Sequence, residues 1–171
     1  MTKQAVKFTR RHLGHDDEWW ARVQRRLKGI QVVDLATCDQ EGPHVRPITT
    51  VEVGGELYVL TGTADAKVAQ LRHDPRYEAH LPWSRGKRTG YVRFRGRVEF
   101  VEDREVVRAV ADASGFLDCY FTGLDDPNLT VLRLGIEAAE VTPPGKMEWI
   151  HLTKDDRARP NSRASRGRRK K

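Results

Sequence analysis

Lys67 is the residue whose position most needs a chemical reason. It lies in TGTADAKVAQL, Thr61 to Leu71, which reads as the end of a strand, a short polar turn and the first turn of a helix. The amides at a helix N-terminus make that end partly positive, so a cation is poorly placed there and an acid would suit it better. A bound anion reverses the judgement, because lysine and amides would then point at the same charge. Thr61 and Thr63 add hydroxyls to the same stretch. Arg46 brings a permanently charged, planar donor fork. Pro47 beside it cannot donate to a strand ladder and marks an edge or a break in pairing. Together these residues describe a phosphate site. A strand edge with surface charges accounts for them equally well, and spacing alone leaves the two readings level.

Other chemistry is sparse. The chain has no G-x-x-x-x-G-K-[ST] loop, no G-x-G-x-x-G, no H-E-x-x-H and no G-x-S-x-G. His12 and His15 read as a solvated pair, since a metal would need further ligands. No serine or cysteine is paired with a base. The sequence therefore offers no catalytic side chain and no metal site, and an organic cofactor would have to supply reactivity. Cys38 and Cys119 form no motif and read as small buried hydrophobes in a reducing cytoplasm.

The elements that must hold these residues follow from periodicity. Asp16 to Lys28 suits an amphipathic helix, with Trp19, Val23 and Leu27 as its apolar stripe and Gly29 after its end. A strand from about Ile30 to Thr37 precedes the turn DQEG. Val45 to Val53 and ELYVLT then flank Gly54-Gly55 as a hairpin. A short helix from about Asp65 to Arg72 stops at Asp74-Pro75. Tyr77 to Trp83 alternates, SRGKRTG reads as a loop, and in YVRFRGRVEFV the apolar Val92, Phe94, Val98 and Phe100 oppose Arg93, Arg95 and Arg97. That arginine row reads as solvated or subunit-facing, paired with acids such as Glu99. Helical pieces at Arg104 to Ala113 and near Phe116 to Phe121, a DDPN turn and the strand TVLRLGIEAAEV complete the body. Six short strands with turns and a few helices predict an antiparallel barrel or strongly curled sheet.

The length of 171 residues fits one domain, residues 1–156, followed by a tail, 157–171. The net charge of +7 belongs to that tail: RARPNSRASRGRRKK holds eight of the 31 basic residues and no acid, leaving 23 basic residues against 24 acidic ones. The tail reads as disordered and able to touch nucleic acid weakly. No run is long and apolar enough for a membrane span, and the N-terminus lacks the apolar middle of a signal peptide.

The stretch GPHVRPITTVEVGGELYVLTGTADAKVAQLRHDP resembles the core motif of the pyridoxamine 5′-phosphate oxidase-like FMN-binding split barrels. DDPNLTVLRLGIEAAEV and the Glu148-Trp149 pair resemble the general stress protein 26 branch. The resemblance covers most of Ile30 to Trp149. It implies a mainly β fold, an antiparallel six-stranded split β-barrel with peripheral helices, forming a homodimer with FMN at the interface. Arg46, Pro47 and Ile48 would line the flavin, Thr61, Thr63 and Lys67 would hold its phosphate, and Trp149 would reach it from the partner subunit. Ala66 stands where a Ser or Arg often precedes the lysine, which removes one phosphate contact. After Trp149 the chain reads IHLTKDDRAR and lacks the Arg-x-His with which the authentic oxidases hold their pyridoxal substrate, which argues against pyridoxamine phosphate oxidation. The implied function is an FMN-dependent oxidoreductase, stress-related by family, with an unidentified small-molecule redox substrate. The alternatives are a non-catalytic flavin-binding or flavin-buffering protein, an F420- or haem-binding barrel, and a nucleic-acid-binding module.

Overall fold

The computed structural model describes residues 9–154. The basic tail and the domain boundary at residue 156 lie outside them. Eight strands are present: β1 (Thr9–Gly14), β2 (Ile30–Asp39), β3 (Gly42–Val53), β4 (Glu56–Gly62), β5 (Arg76–Arg85), β6 (Arg88–Phe100), β7 (Leu129–Thr142) and β8 (Glu148–Thr153). The helices are α1 (Asp17–Leu27), α2 (Ala66–His73) and α3 (Arg104–Ser114), with a single 3₁₀ turn at Leu117–Cys119. No helix among the described residues is long and apolar enough to cross a membrane.

Strands β2 to β7 close on themselves through antiparallel pairs in the order β2-β3-β4-β7-β6-β5 and back to β2. This ring is the predicted six-stranded barrel. Its hairpins have local causes. Gly54 and Gly55 both have positive φ, +62° and +87°, as a two-residue hairpin turn of the favoured hand requires. SRGKRTG is not the expected loop: β5 and β6 continue through it until Arg85 pairs with Arg88. Two strands lie beyond the ring. The last residues of β7 pair with β8, and β8 pairs in parallel with β1.

The main core cluster gathers Val33, Leu35, Phe94, Leu132 and Leu134 of the ring with Ile150 and Leu152 of β8 and Trp20, Val23 and Leu27 of α1. Asp16 caps α1 by accepting from the Trp19 amide at 3.0 Å, and its buried face is Trp20, Val23 and Leu27. Trp19, expected in that stripe, is half-buried, and the Arg22 guanidinium lies 4.5 Å from its ring centre. A second apolar cluster lies outside the barrel, where Val110 and Ala111 of α3 pack on Val51, Tyr58, Leu60 and Val131. Strand β4 is consequently buried on both faces.

The arginine row of β6 is exposed, as expected, but its partners differ. Arg93 pairs with Glu78 at 2.9 Å and Glu140 at 3.0 Å, while Glu99 pairs with Arg133 across on β7. Both cysteines are exposed, against the expectation of burial. His12 and His15 part company: His12 stacks on His151 with ring centres 4.6 Å apart, and His15 bonds Asp17.

A polar network ties the β2–β3 hairpin to α2. Arg46 donates to Thr37 Oγ1 at 2.6 Å and to Gln70 Oε1 at 3.0 Å. Thr37 also donates to Gln70, whose amide nitrogen donates to Asp39 at 2.7 Å. His44 completes the chain at 2.8 Å from Asp39. Thr37 and Gln70 are buried, so their polar atoms need these partners.

Two outcomes are expected. At Gly96, on the β6–β7 seam where the register shifts, a Cβ would lie 1.9 Å from the Gly135 carbonyl oxygen. Gly96→Ala should cost about 1–3 kcal/mol or more in urea unfolding, because rigid backbone must move aside. The second concerns acid. The hydrogen bonds from His44 and then Gln70 lower the Asp39 pKa to about 2 from 3.8. Its contribution is present above the ordinary carboxylate range and is lost as pH falls through about 2. Thermal midpoints should drop more steeply between pH 4 and 2 in the native chain than in Asp39→Asn, and equal slopes would exclude Asp39 as a cause.

Candidate functional site

The site begins where β3 and β4 separate. They pair only at Val51–Tyr58, Glu52–Leu57 and Val53–Glu56. Toward the N-terminal end of β3 the two strands diverge. Pro47, which has no N–H to offer, lies in the part of β3 that pairs with β2 alone. The resulting cleft has a volume of about 460 Å³, within the roughly 300–1,000 Å³ of small-molecule sites. Pro47, Ile48 and Thr49 form one wall, and Val59 to Gly62 form the other. Asp65 and Lys67 lie at its polar end, with Asn128 from the loop before β7. Phe116, Tyr120 and Phe121, carried by the 3₁₀ turn after α3, add an aromatic side. Tyr120 is 74% exposed at that side.

Four of the residues singled out from the sequence therefore meet in one cleft: Pro47, Ile48, Thr61 and Lys67. Three others are placed outside its lining. The Arg46 guanidinium is engaged one layer behind, with Thr37 and Gln70. Thr63 is tied to the loop before β7, through its amide to the Asn128 carbonyl at 2.7 Å and its hydroxyl to the Pro127 carbonyl at 3.2 Å. Trp149 is the second residue of β8, and its Nε1 donates to the Tyr91 hydroxyl at 3.1 Å.

The polar end has a definite geometry. Asp65, the residue before α2, receives Lys67 Nζ at 2.5 Å, the Thr61 hydroxyl at 2.5 Å and the Gly62 amide at 3.2 Å. Lys67 is largely covered, with its side chain 14% exposed. The hydrogen bond from Lys67, followed by that from Thr61, holds the Asp65 carboxyl below its ordinary range, so it is an anion at neutral pH. A Cβ on Gly62 would lie 3.3 Å from Asp65 Oδ1 and 3.5 Å from the Asn128 amide, so a side chain there would crowd this corner. Cation, hydroxyl and amide thus already converge on one oxyanion, which is the donor set a phosphate group takes.

Asp65, Asn128 and the three aromatics also line the cleft, beyond the residues singled out from the sequence. Asp65 carried a legible signal, an acid at a helix N-cap. The aromatics carried none, because their place at the cleft depends on how α3 packs. Among the described residues, no group of three or more His, Cys, Asp or Glu is arranged to hold a metal.

Residues 20–142 match the family model described as pyridoxamine 5′-phosphate oxidase. General stress protein 26 of Bacillus subtilis (strain 168) is 28% identical over 123 residues, covering 71% of this chain and 86% of the relative. Among solved structures, a NimC/NimA family protein of Clostridium acetobutylicum aligns with a TM-score of 0.63 at 22% identity, covering 78% of this chain and 89% of that one. A haem-binding protein of Mycobacterium smegmatis aligns with a TM-score of 0.62 at 21% identity, covering 78% and 56%. With its six-strand ring and a family match that runs from within α1 to the end of β7, the chain belongs to the pyridoxamine 5′-phosphate oxidase family.

Proposed function

We propose that the chain is an FMN-binding oxidoreductase of this family, with the flavin held in the β3–β4 cleft at the seam of a homodimer. The observation that carries the reading is the convergence of Pro47, Ile48, Thr61 and Lys67 on one cleft, with a ready oxyanion seat at its polar end. Lys67, Thr61 and the Gly62 amide hold the phosphate. Pro47, Ile48 and the aromatic side present apolar surface to the flanks of the ring. Arg46 acts from behind, fixing the β3 backbone through Thr37 and Gln70. Thr63 anchors the loop that frames the seat. The bound flavin would supply hydride exchange at its N5. The titratable side chains lining the cleft are Asp65, Lys67 and Tyr120, and the first two are paired with each other, so no side chain is assigned as acid or base. Of the side-chain types that ligate haem iron, only Tyr120 lines the cleft, which favours flavin over haem.

The dimer is proposed from the outer face of β2 and β3. Opposed pairs place Val32 beside Thr49, Asp34 beside Pro47 and Ala36 beside Val45 on that face. Val32 is 60% exposed and Val45 68%, and Pro47 also borders the cleft. A second copy laid on this apolar strip would cover the cleft and bring the partner subunit's Trp149 toward the ring.

Three measurements follow. The visible spectrum of the purified protein should be that of oxidised flavin, and deazaflavin or haem absorption would replace the reading. On titration of apoprotein, Lys67→Ala should weaken FMN binding by roughly ten- to a hundredfold, from the roughly 1.5–3 kcal/mol of a charged hydrogen bond, and riboflavin binding much less. Equal losses for both flavins would place the phosphate elsewhere. Val32→Glu with Val45→Glu should give single-chain mass by light scattering together with weaker FMN binding, because burying two unpaired charges blocks the strip. A native chain that is monomeric with flavin bound would exclude the dimer seam.

A further inference from the structure

We propose that Asp65 is a built-in competitor for the phosphate seat, and that this one carboxylate limits how strongly the site prefers a phosphorylated flavin over an uncharged one. The inference rests on the reading of the cleft as an FMN site.

Three helices each follow an aspartate. Asp16 accepts from the Trp19 amide at 3.0 Å, and Asp103 accepts from the Glu105 and Val106 amides at 2.9 and 3.3 Å, so both cap their own helices. Asp65 has an extended backbone close to that of Asp103, with φ −64° in both, yet its side chain makes no cap hydrogen bond to α2. It turns into the cleft and gathers Thr61, Gly62 and Lys67. A capping hydrogen bond is forgone for three donors that a ligand phosphate would also need.

The consequence is electrostatic. Without Asp65 the seat would present a net positive charge to the ligand; with it, Lys67 is already neutralised. An incoming phosphate must push the carboxylate out or lie beside it, and like charges at that range repel strongly where water is partly excluded. Asp65 has somewhere to go. A rotation of its side chain would bring the carboxylate to the first-turn amides of α2, the position Asp103 occupies on α3. Phosphate and carboxylate would then exchange places, with the amides of α2 taking the displaced charge. Riboflavin carries no phosphate and leaves the Asp65–Lys67 pair undisturbed.

The test is a titration of apoprotein with FMN and with riboflavin, followed by flavin fluorescence, for the native chain, Asp65→Asn and Asp65→Ala. Asn keeps the shape and the capping ability and removes the charge. FMN should bind about tenfold more tightly to Asp65→Asn, while riboflavin binding changes by less than about twofold. If Asp65→Ala fails to fold, Asp65→Asn decides alone. Flavin binding with an unchanged or reduced preference for FMN in Asp65→Asn would overturn this inference and leave the FMN site standing. Failure of every form to bind either flavin would overturn the FMN reading and this inference with it.

Discussion

Backbone pairing between β3 and β4 stops after three residue pairs, although both strands continue, and the rest of the molecule is arranged around that gap. Strand β3 runs on with β2 through ten paired positions, and β4 runs on with β7 through five. Each strand thus finds its hydrogen bonds on one side and leaves the other side to the cleft. A buried backbone edge is costly unless its polar groups find partners. Proline at position 47 removes one such group, and α3 with its following turn packs on Val51 of β3 and on Tyr58 and Leu60 of β4. The barrel can stay closed as a ring because β7 is long enough to pair with β4 at one end, β8 at the other and β6 along its length.

The same gap decides where charge collects. Because β4 ends beside the open edge and α2 starts four residues later, the Thr61 hydroxyl, Gly62 amide and Lys67 ammonium all face one point. In the chain as it stands Asp65 occupies that point. The lysine that looked misplaced at a helix N-terminus is compensated from within its own turn. On the far side of β2, Arg46, Gln70 and Asp39 form a separate polar chain that braces α2 against the hairpin. The two networks share α2 and no residue, so the helix is held from both ends of its first two turns.

Much of this was legible because the signals were local. Alternation along Tyr91 to Val101, the Gly54-Gly55 turn and Asp16 before α1 each specify their element within a few residues. What went unread was short or non-local. Strands β1 and β8 have six residues each and largely exposed or intermediate side chains at their free edge, and their parallel pairing joins segments at opposite ends of the described chain. The choice of Trp20 over Trp19 for the core depends on the direction from which α1 meets the barrel, which a one-residue difference in a periodic pattern does not convey.

By itself the sequence determined the ring of six antiparallel strands, the place of Pro47 beside an unpaired edge and a family resemblance that the family match supports, and it left a phosphate reading of Thr61 and Lys67 level with a charged strand edge. These rest on residue type and near-neighbour spacing, which survive any tertiary arrangement. Only the tertiary structure decided that Arg46 would be spent on Thr37 and Gln70, that Thr63 would anchor a loop, that Phe116 and Tyr120 would border the cleft, and that Asp65 would face Lys67 instead of capping α2. Each is a choice among partners of similar chemistry. Such choices turn on distances set when β2, α2, α3 and the loop before β7 pack together, and separation along the chain carries no record of them.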